Sequence, residues 1–212
     1  MKHLTLTTVI VLVATVSTLD VPCTNQELDI PTDWIDMNRL CVQKMRTQVT
    51  EELKASMQYM AMGAFFSKDT LNRPGFAQLF FKAASEERQH AINLISYLLM
   101  RGGLTVDASS LIKRNLVPAK TSWPNGISAL KDALKLEAMV TRRIRSIIEV
   151  CESGTTFNDY HLNDYLIGEF LEEQYHGQRD IAGKTSSLEK MMKQHGDLGE
   201  WLFDKKLLNG EI

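Results

Sequence analysis

The stretch from Pro74 to Arg101, PGFAQLFFKAASEERQHAINLISYLLMR, decides the fold. Read in alternating steps of three and four, it gives Phe76, Phe80, Ala83, Glu87, His90, Leu94 and Tyr97, the stripe of a helix face turned toward a core. Pro74 suits a helix first turn, and Gly102-Gly103 a helix end. Two polar residues, Glu87 and His90, stand inside that stripe. A glutamate is almost never fully buried unless paired, because a lone carboxylate in a dry interior is costly or takes up a proton.

Three further segments carry the same period. The first, residues 36–67, gives Met45, Val49, Glu52, Ser56, Tyr59, Gly63 and Phe66. The third, 125–152, gives Ile127, Leu130, Leu134, Glu137, Thr141, Ile144, Ile148 and Cys151. The fourth, 158–195, gives Ile167, Phe170, Gln174, Gly177, Ile181 and Leu188, and a short last helix over 197–208 follows Gly196. Short connections join the first to the second and the third to the fourth, which forces antiparallel neighbours. From Gly102 to Pro124 about 22 residues lack helical period, enough at about 3.3 Å each to run back along a helix of roughly 40 Å. Helices two and three should therefore be parallel. The predicted fold is all-α, a ferritin-like four-helix bundle with one long crossover between helices two and three and a short C-terminal fifth helix; cytokine bundles need two crossovers.

Each stripe is broken by a polar residue, and the breaks lie at one height. Counted from turns near Thr70 and Thr155, Glu52 is 18 positions away, Glu87 17, Glu137 18 and Gln174 19. Converging carboxylates with an imidazole repel one another in a dry core, and a multivalent cation satisfies them. Glu87 and His90, three apart, form the Glu-x-x-His pair that di-iron bundles use, with Glu52 and Glu137 arriving from two other helices. Carboxylate-rich ligation with one His and no Cys favours iron or manganese over structural zinc. Tyr59, two turns after Glu52 on the same face, places its hydroxyl near the site. Glu173 and His176 form a rival Glu-x-x-His, but with position 174 inward, His176 lies about 200° further round the helix. Gln174 is retained as the inward residue, with Glu173 as an outer neighbour.

The rest of the chain fits a secreted bundle. Residues 4–19 carry no charge and read as a secretory signal peptide, too short and too rich in Thr and Ser for a membrane span of about 20 residues. The expected organisation is a signal peptide over 1–19, an N-terminal extension over 20–35 and a di-iron bundle domain over 36–212. Secretion permits disulfides, and the odd count of 3 cysteines leaves one sulfur for another chain. If helices one and three run antiparallel, Cys41 and Cys151 meet as an intrachain pair, leaving Cys23 to bridge subunits. The 24 Lys+Arg against 26 Asp+Glu leave no basic surplus for nucleic acid or an anionic membrane.

Several separated motifs then resemble one family. Residues 51–56 (Glu-Glu-Leu-x-Ala-Ser) with Tyr59, 86–90 (Glu-Glu-Arg-Gln-His), 136–137 (Leu-Glu), 172–174 (Glu-Glu-Gln) and 202–205 (Leu-Phe-Asp-Lys) resemble ferritin over nearly the whole mature chain. The signal peptide, the three cysteines, and the blocks at 72–76 and 176–179 are similar to the heavy-chain type of secreted insect ferritins. The resemblance implies a 24-subunit shell, co-assembled with a light-chain type of subunit, that oxidises Fe(II) with dioxygen and stores ferric mineral. It implies two irons per subunit, the first on Glu52, Glu87 and His90, the second among Glu87, Glu137 and Gln174, with Tyr59 beside them and Glu86 handing iron onward. It also matches Asp164 to one acid of the family's threefold channel, with Ile167 where a second acid is common and Glu169 as a substitute. Gln89 and Ile92 stand where mineral-nucleating acids are common, which shifts nucleation toward the light-chain partner. The alternative is a catalytically silent structural shell subunit.

Overall fold

The computed structural model describes residues 31–104, 111, 115–152 and 158–212. The expected signal peptide over 1–19, most of the expected extension over 20–35, and Cys23 lie outside the described residues. Four long rods and a short terminal helix account for Thr32–Ile212, and no strand occurs among the described residues. The elements are α1 (Arg39–Phe66), α2 (Pro74–Met100), α3 (Gly126–Glu152), α4 (Tyr160–Leu166), a π-helical turn (Ile167–Leu171), α5 (Glu172–His195) and α6 (Asp197–Leu208). α4, the π turn and α5 form the continuous fourth rod.

Helix one begins at Arg39 rather than at residue 36, for a local reason. Asn38 accepts the Leu40 N–H on its side-chain oxygen at 2.8 Å, and Asp36 is drawn off by Arg101 at 2.7 Å. α3 begins after Asn125, whose side-chain oxygen accepts the Ser128 N–H at 2.9 Å. α5 ends at Gly196, where φ of +56° favours a residue without Cβ, and the chain turns into α6.

The fourth rod departs from the expected frame. Its buried positions, Leu162, Leu166, Phe170 and Gln174, are four apart, and Ile167 is 51% exposed rather than part of the stripe. The π turn takes up one extra residue, so the stripe that would drift round an ideal α-helix stays on the core side.

The crossover runs back along α1. The Leu111 carbonyl accepts from Thr50 Oγ1 at 3.1 Å, and the Lys120 backbone exchanges bonds with the Gln58 amide at 2.7 and 3.1 Å. α3 therefore starts beside the start of α2, where Gly126 lies against the Phe76 ring so closely that a Cβ would stand 2.4 Å from it. The disulfide Cys41–Cys151, with Cα atoms 5.6 Å apart, joins the start of α1 to the end of α3, as antiparallel packing requires.

Two apolar clusters fill the bundle. Met45, Leu94, Leu98, Ile144 and Phe170 pack near the disulfide, and Met62, Phe66, Phe76, Phe80, Leu130 and Phe203 pack toward α6. Between them lies a buried polar layer of Glu52, Glu87, His90, Glu137, Thr141 and Gln174.

Candidate metal centre

Glu52 projects from α1 and is wholly buried. Gln48, one turn earlier, donates to its Oε1 at 2.8 Å, while its Oε2 has no hydrogen-bond partner. A buried carboxylate oxygen without a donor is costly unless a cation faces it. Glu87 and His90 supply the other groups from α2, and one ligand atom from each of Glu52, Glu87 and His90 lie within 4.8 Å of one another. His90 is held at both nitrogens, Nδ1 by Glu87 Oε2 at 3.3 Å and Nε2 by Glu173 Oε2 at 3.1 Å. Glu137 comes from α3 and accepts a hydrogen bond from the Tyr59 hydroxyl on Oε1. Gln174 of α5 closes the layer, its Oε1 accepting from Thr141 Oγ1 at 2.9 Å.

The electrostatics match three carboxylates crowded away from water. Burial pushes Glu52 well above the usual carboxylate range, and the nearby charge of Glu87 pushes the same way. Burial and then the charge of Glu137 raise Glu87. Burial also raises Glu137, opposed by the hydrogen bonds it accepts from Tyr59 and Gln174. Tyr59 itself is pushed well above its ordinary value by burial and by Glu137, so it remains a proton donor at neutral pH. A divalent cation inverts this balance, replacing mutual repulsion by attraction to each carboxylate.

A cavity of about 150 Å³ opens beside the layer, its walls including Tyr59, Glu86, Glu87, His90, Glu137, Glu173 and Gln174. Glu86 is more exposed and pairs with Lys82 at 3.4 Å. His176 is turned away, its side chain 80% exposed and bonded to Glu172 rather than to the layer. Asp164, Ile167 and Glu169 are exposed and stand apart from the layer. Sequence reasoning missed Gln48, Thr141 and Gln178 as site neighbours. Thr141 was legible only as a stripe position, although its place four residues after Glu137 puts it on the same helix face.

Four helices each bring a polar side chain to one buried, oxygen-rich layer, and the sequence model of the ferritin-like domain matches residues 42–191. The chain belongs to the ferritin family. Ferritin heavy chains of Trichoplusia ni and Papilio xuthus are each 58% identical over 190 residues, covering 90% of this chain and 90% of the relative. The ferritin heavy chain of Drosophila melanogaster is 54% identical over 188 residues, 89% of this chain and 91% of the relative. The crystal structure of Trichoplusia ni secreted ferritin superposes with a TM-score of 0.84 at 59% identity, covering 88% of this ferritin and 97% of that chain. No helix among the described residues of this ferritin is long and apolar enough to cross a membrane.

Proposed function

We propose that the buried layer is a ferroxidase centre for two Fe(II) ions, the substrate of this ferritin. The chain is an iron-storage subunit of the ferroxidase-bearing type. In the proposed arrangement Glu52, Glu87 and His90 hold one iron, Glu87 also reaches the second, and Glu137 and Gln174 surround that second position. The observation that carries the reading is the unpartnered Oε2 of fully buried Glu52, close to Glu87 and His90.

The chemistry follows from charge and placement. Each Fe(II) gives up one electron, and one dioxygen takes both. Anionic oxygen ligands favour Fe(III) over Fe(II), so the carboxylates lower the barrier to electron loss. Tyr59 holds Glu137 in one orientation through its hydrogen bond. Because the ferric product must leave, a neutral Gln174 in place of a fourth carboxylate weakens retention at the second position. Glu86 and Glu173, on the cavity walls, form the outward route.

The same reading places the subunit in a shell of 24 with a light-chain type of partner, and in the secretory pathway. Residues 1–19 act as signal peptide, 20–35 as an extension, and 36–212 as the bundle domain, with Cys23 bridging subunits. The family and the Cys41–Cys151 disulfide support this assignment. Asp164 serves the channel through which iron arrives.

Aerobic Fe(II) oxidation, followed optically on the assembled protein beside Glu87→Ala and His90→Ala, tests the centre. Fast oxidation lost in both variants, with shells of unchanged size, is the expected result. Equal slow oxidation in all three would make this chain a silent scaffold.

A further inference from the structure

The hydrogen bonds behind Gln174 show a feature that the ferroxidase reading does not use. Thr141 is buried on α3, one turn after Glu137. Its hydroxyl meets three groups: Gln178 Nε2 at 2.6 Å, the Glu137 backbone carbonyl at 2.9 Å and Gln174 Oε1 at 2.9 Å. A hydroxyl has one proton to donate and two lone pairs to accept with. Gln178 can only donate here, so it occupies one lone pair. The single proton is left facing two acceptors at equal distance, and one lone pair remains free.

That arithmetic permits two complete hydrogen-bond patterns. In the first, Thr141 donates to Gln174 Oε1, and the Gln174 N–H2 is turned to the Glu137 carboxylate. In the second, the Gln174 amide is rotated by half a turn. Its N–H2 then donates to the free lone pair of Thr141, and the Thr141 proton passes to the Glu137 carbonyl. No buried donor is orphaned in either pattern, and the two ends of an amide are nearly the same size. Gln178 anchors the hydroxyl in both, because its amide also donates to the Gln174 backbone carbonyl at 3.1 Å.

We propose that Thr141 is a positioning residue whose hydroxyl lets the Gln174 amide face the site with either end, its N–H2 toward the Glu137 carboxylate or its oxygen toward a divalent cation beside Glu137. The proposal rests on the two-cation reading of the site. It explains how one neutral side chain serves both a carboxylate, which needs a donor, and a cation, which needs an acceptor. It also keeps occupation of the second cation position reversible, since filling or emptying it exchanges one satisfied pattern for another.

The test is anaerobic calorimetric titration of the assembled full chain with Co(II), a divalent probe that dioxygen chemistry does not consume and whose visible spectrum reports oxygen ligation. Thr141→Val keeps shape but removes the hydroxyl, and Thr141→Ser keeps the hydroxyl. In Thr141→Val the second Co(II) should bind about tenfold more weakly, the scale of one lost buried hydrogen bond. The first Co(II) should be unchanged, and Thr141→Ser should restore the second. Unchanged affinity for the second Co(II) in Thr141→Val overturns the proposal, as does an equal fall at both positions or a failure of Ser to restore. Glu87→Ala separates the two ideas: if it binds Co(II) as wild type does, the two-cation reading falls and the proposal with it. If it loses Co(II) while Thr141→Val does not, only the role of Thr141 is refuted.

Discussion

The side chain of Asp204, fully buried on α6, accepts the backbone N–H of Phe76 at 3.0 Å across 128 residues of sequence. Phe76 is in the first turn of α2, where backbone N–H groups have no partner within the helix. The carboxylate thus caps α2 from outside, and its charge suits the positive end of the helix dipole. Gly75 makes the approach possible, because a Cβ there would stand 2.0 Å from the Asp204 carbonyl oxygen. Glu200, one turn earlier on α6, does the same for α3 through the Gly126 N–H at 2.9 Å and pairs with Arg73 at 3.2 Å.

Asp204→Ala should therefore lower thermal stability by about 1–3 kcal/mol, the cost of orphaning a buried donor. Asp204→Asn, which keeps an acceptor, should lose less. Calorimetry of the assembled protein gives the comparison, and a midpoint for Asp204→Ala equal to wild type would show that the cap contributes nothing.

Tyr59→Phe should slow Fe(II) oxidation by about tenfold without altering shell size. The substitution removes only a hydroxyl, and with it one of the donors that orient Glu137. Initial rates at saturating Fe(II) measure it. A rate equal to wild type would mean that Glu137 is held well enough by other contacts.

The raised carboxylates set a pH dependence whose sign is fixed. Glu52, Glu87 and Glu137 all titrate above their ordinary value of 4.5 in the folded protein. Above that value the unfolded chain loses protons that the folded chain still holds, so the layer's contribution to stability in chelator is fully present below it and is lost as pH rises through the folded values. Glu52→Gln should flatten this decline and raise the chelated protein's denaturation midpoint at neutral pH. Excess divalent cation should reverse the wild-type trend, because deprotonated carboxylates bind it best. A Glu52→Gln profile parallel to wild type would disprove the assignment of the slope to this layer.

The disulfide closes a loop of 110 residues between the bundle's first and third helices. Chain-entropy reasoning assigns such a closure about 4–5 kcal/mol. Reduction, or Cys41→Ser with Cys151→Ser, should lower the denaturant midpoint accordingly. Reductant should have no further effect on the double variant at this bond, and a midpoint insensitive to reduction would remove the disulfide from the account of stability.

The sequence by itself determined the helices and the height of the polar layer. Both are periodic quantities: a stripe at steps of three and four fixes which side faces the core, and equal distance from two tight turns places Glu52, Glu87, Glu137 and Gln174 side by side. The length of the crossover fixed that α2 and α3 are parallel, and with it the meeting of Cys41 and Cys151. Only the tertiary structure decided what depends on contacts between distant residues or on a break in periodicity. The π turn moved Ile167 out of the stripe, which no count of regular turns can show. Glu173 reached His90 because both project toward the same cavity, and Glu200 and Asp204 became caps because α6 docks against two helix starts. The two-way hydrogen bonding of Thr141 likewise exists only where α3 and α5 come within hydrogen-bond distance, since a hydroxyl's choice of partner is set by position in space and leaves no pattern in the chain.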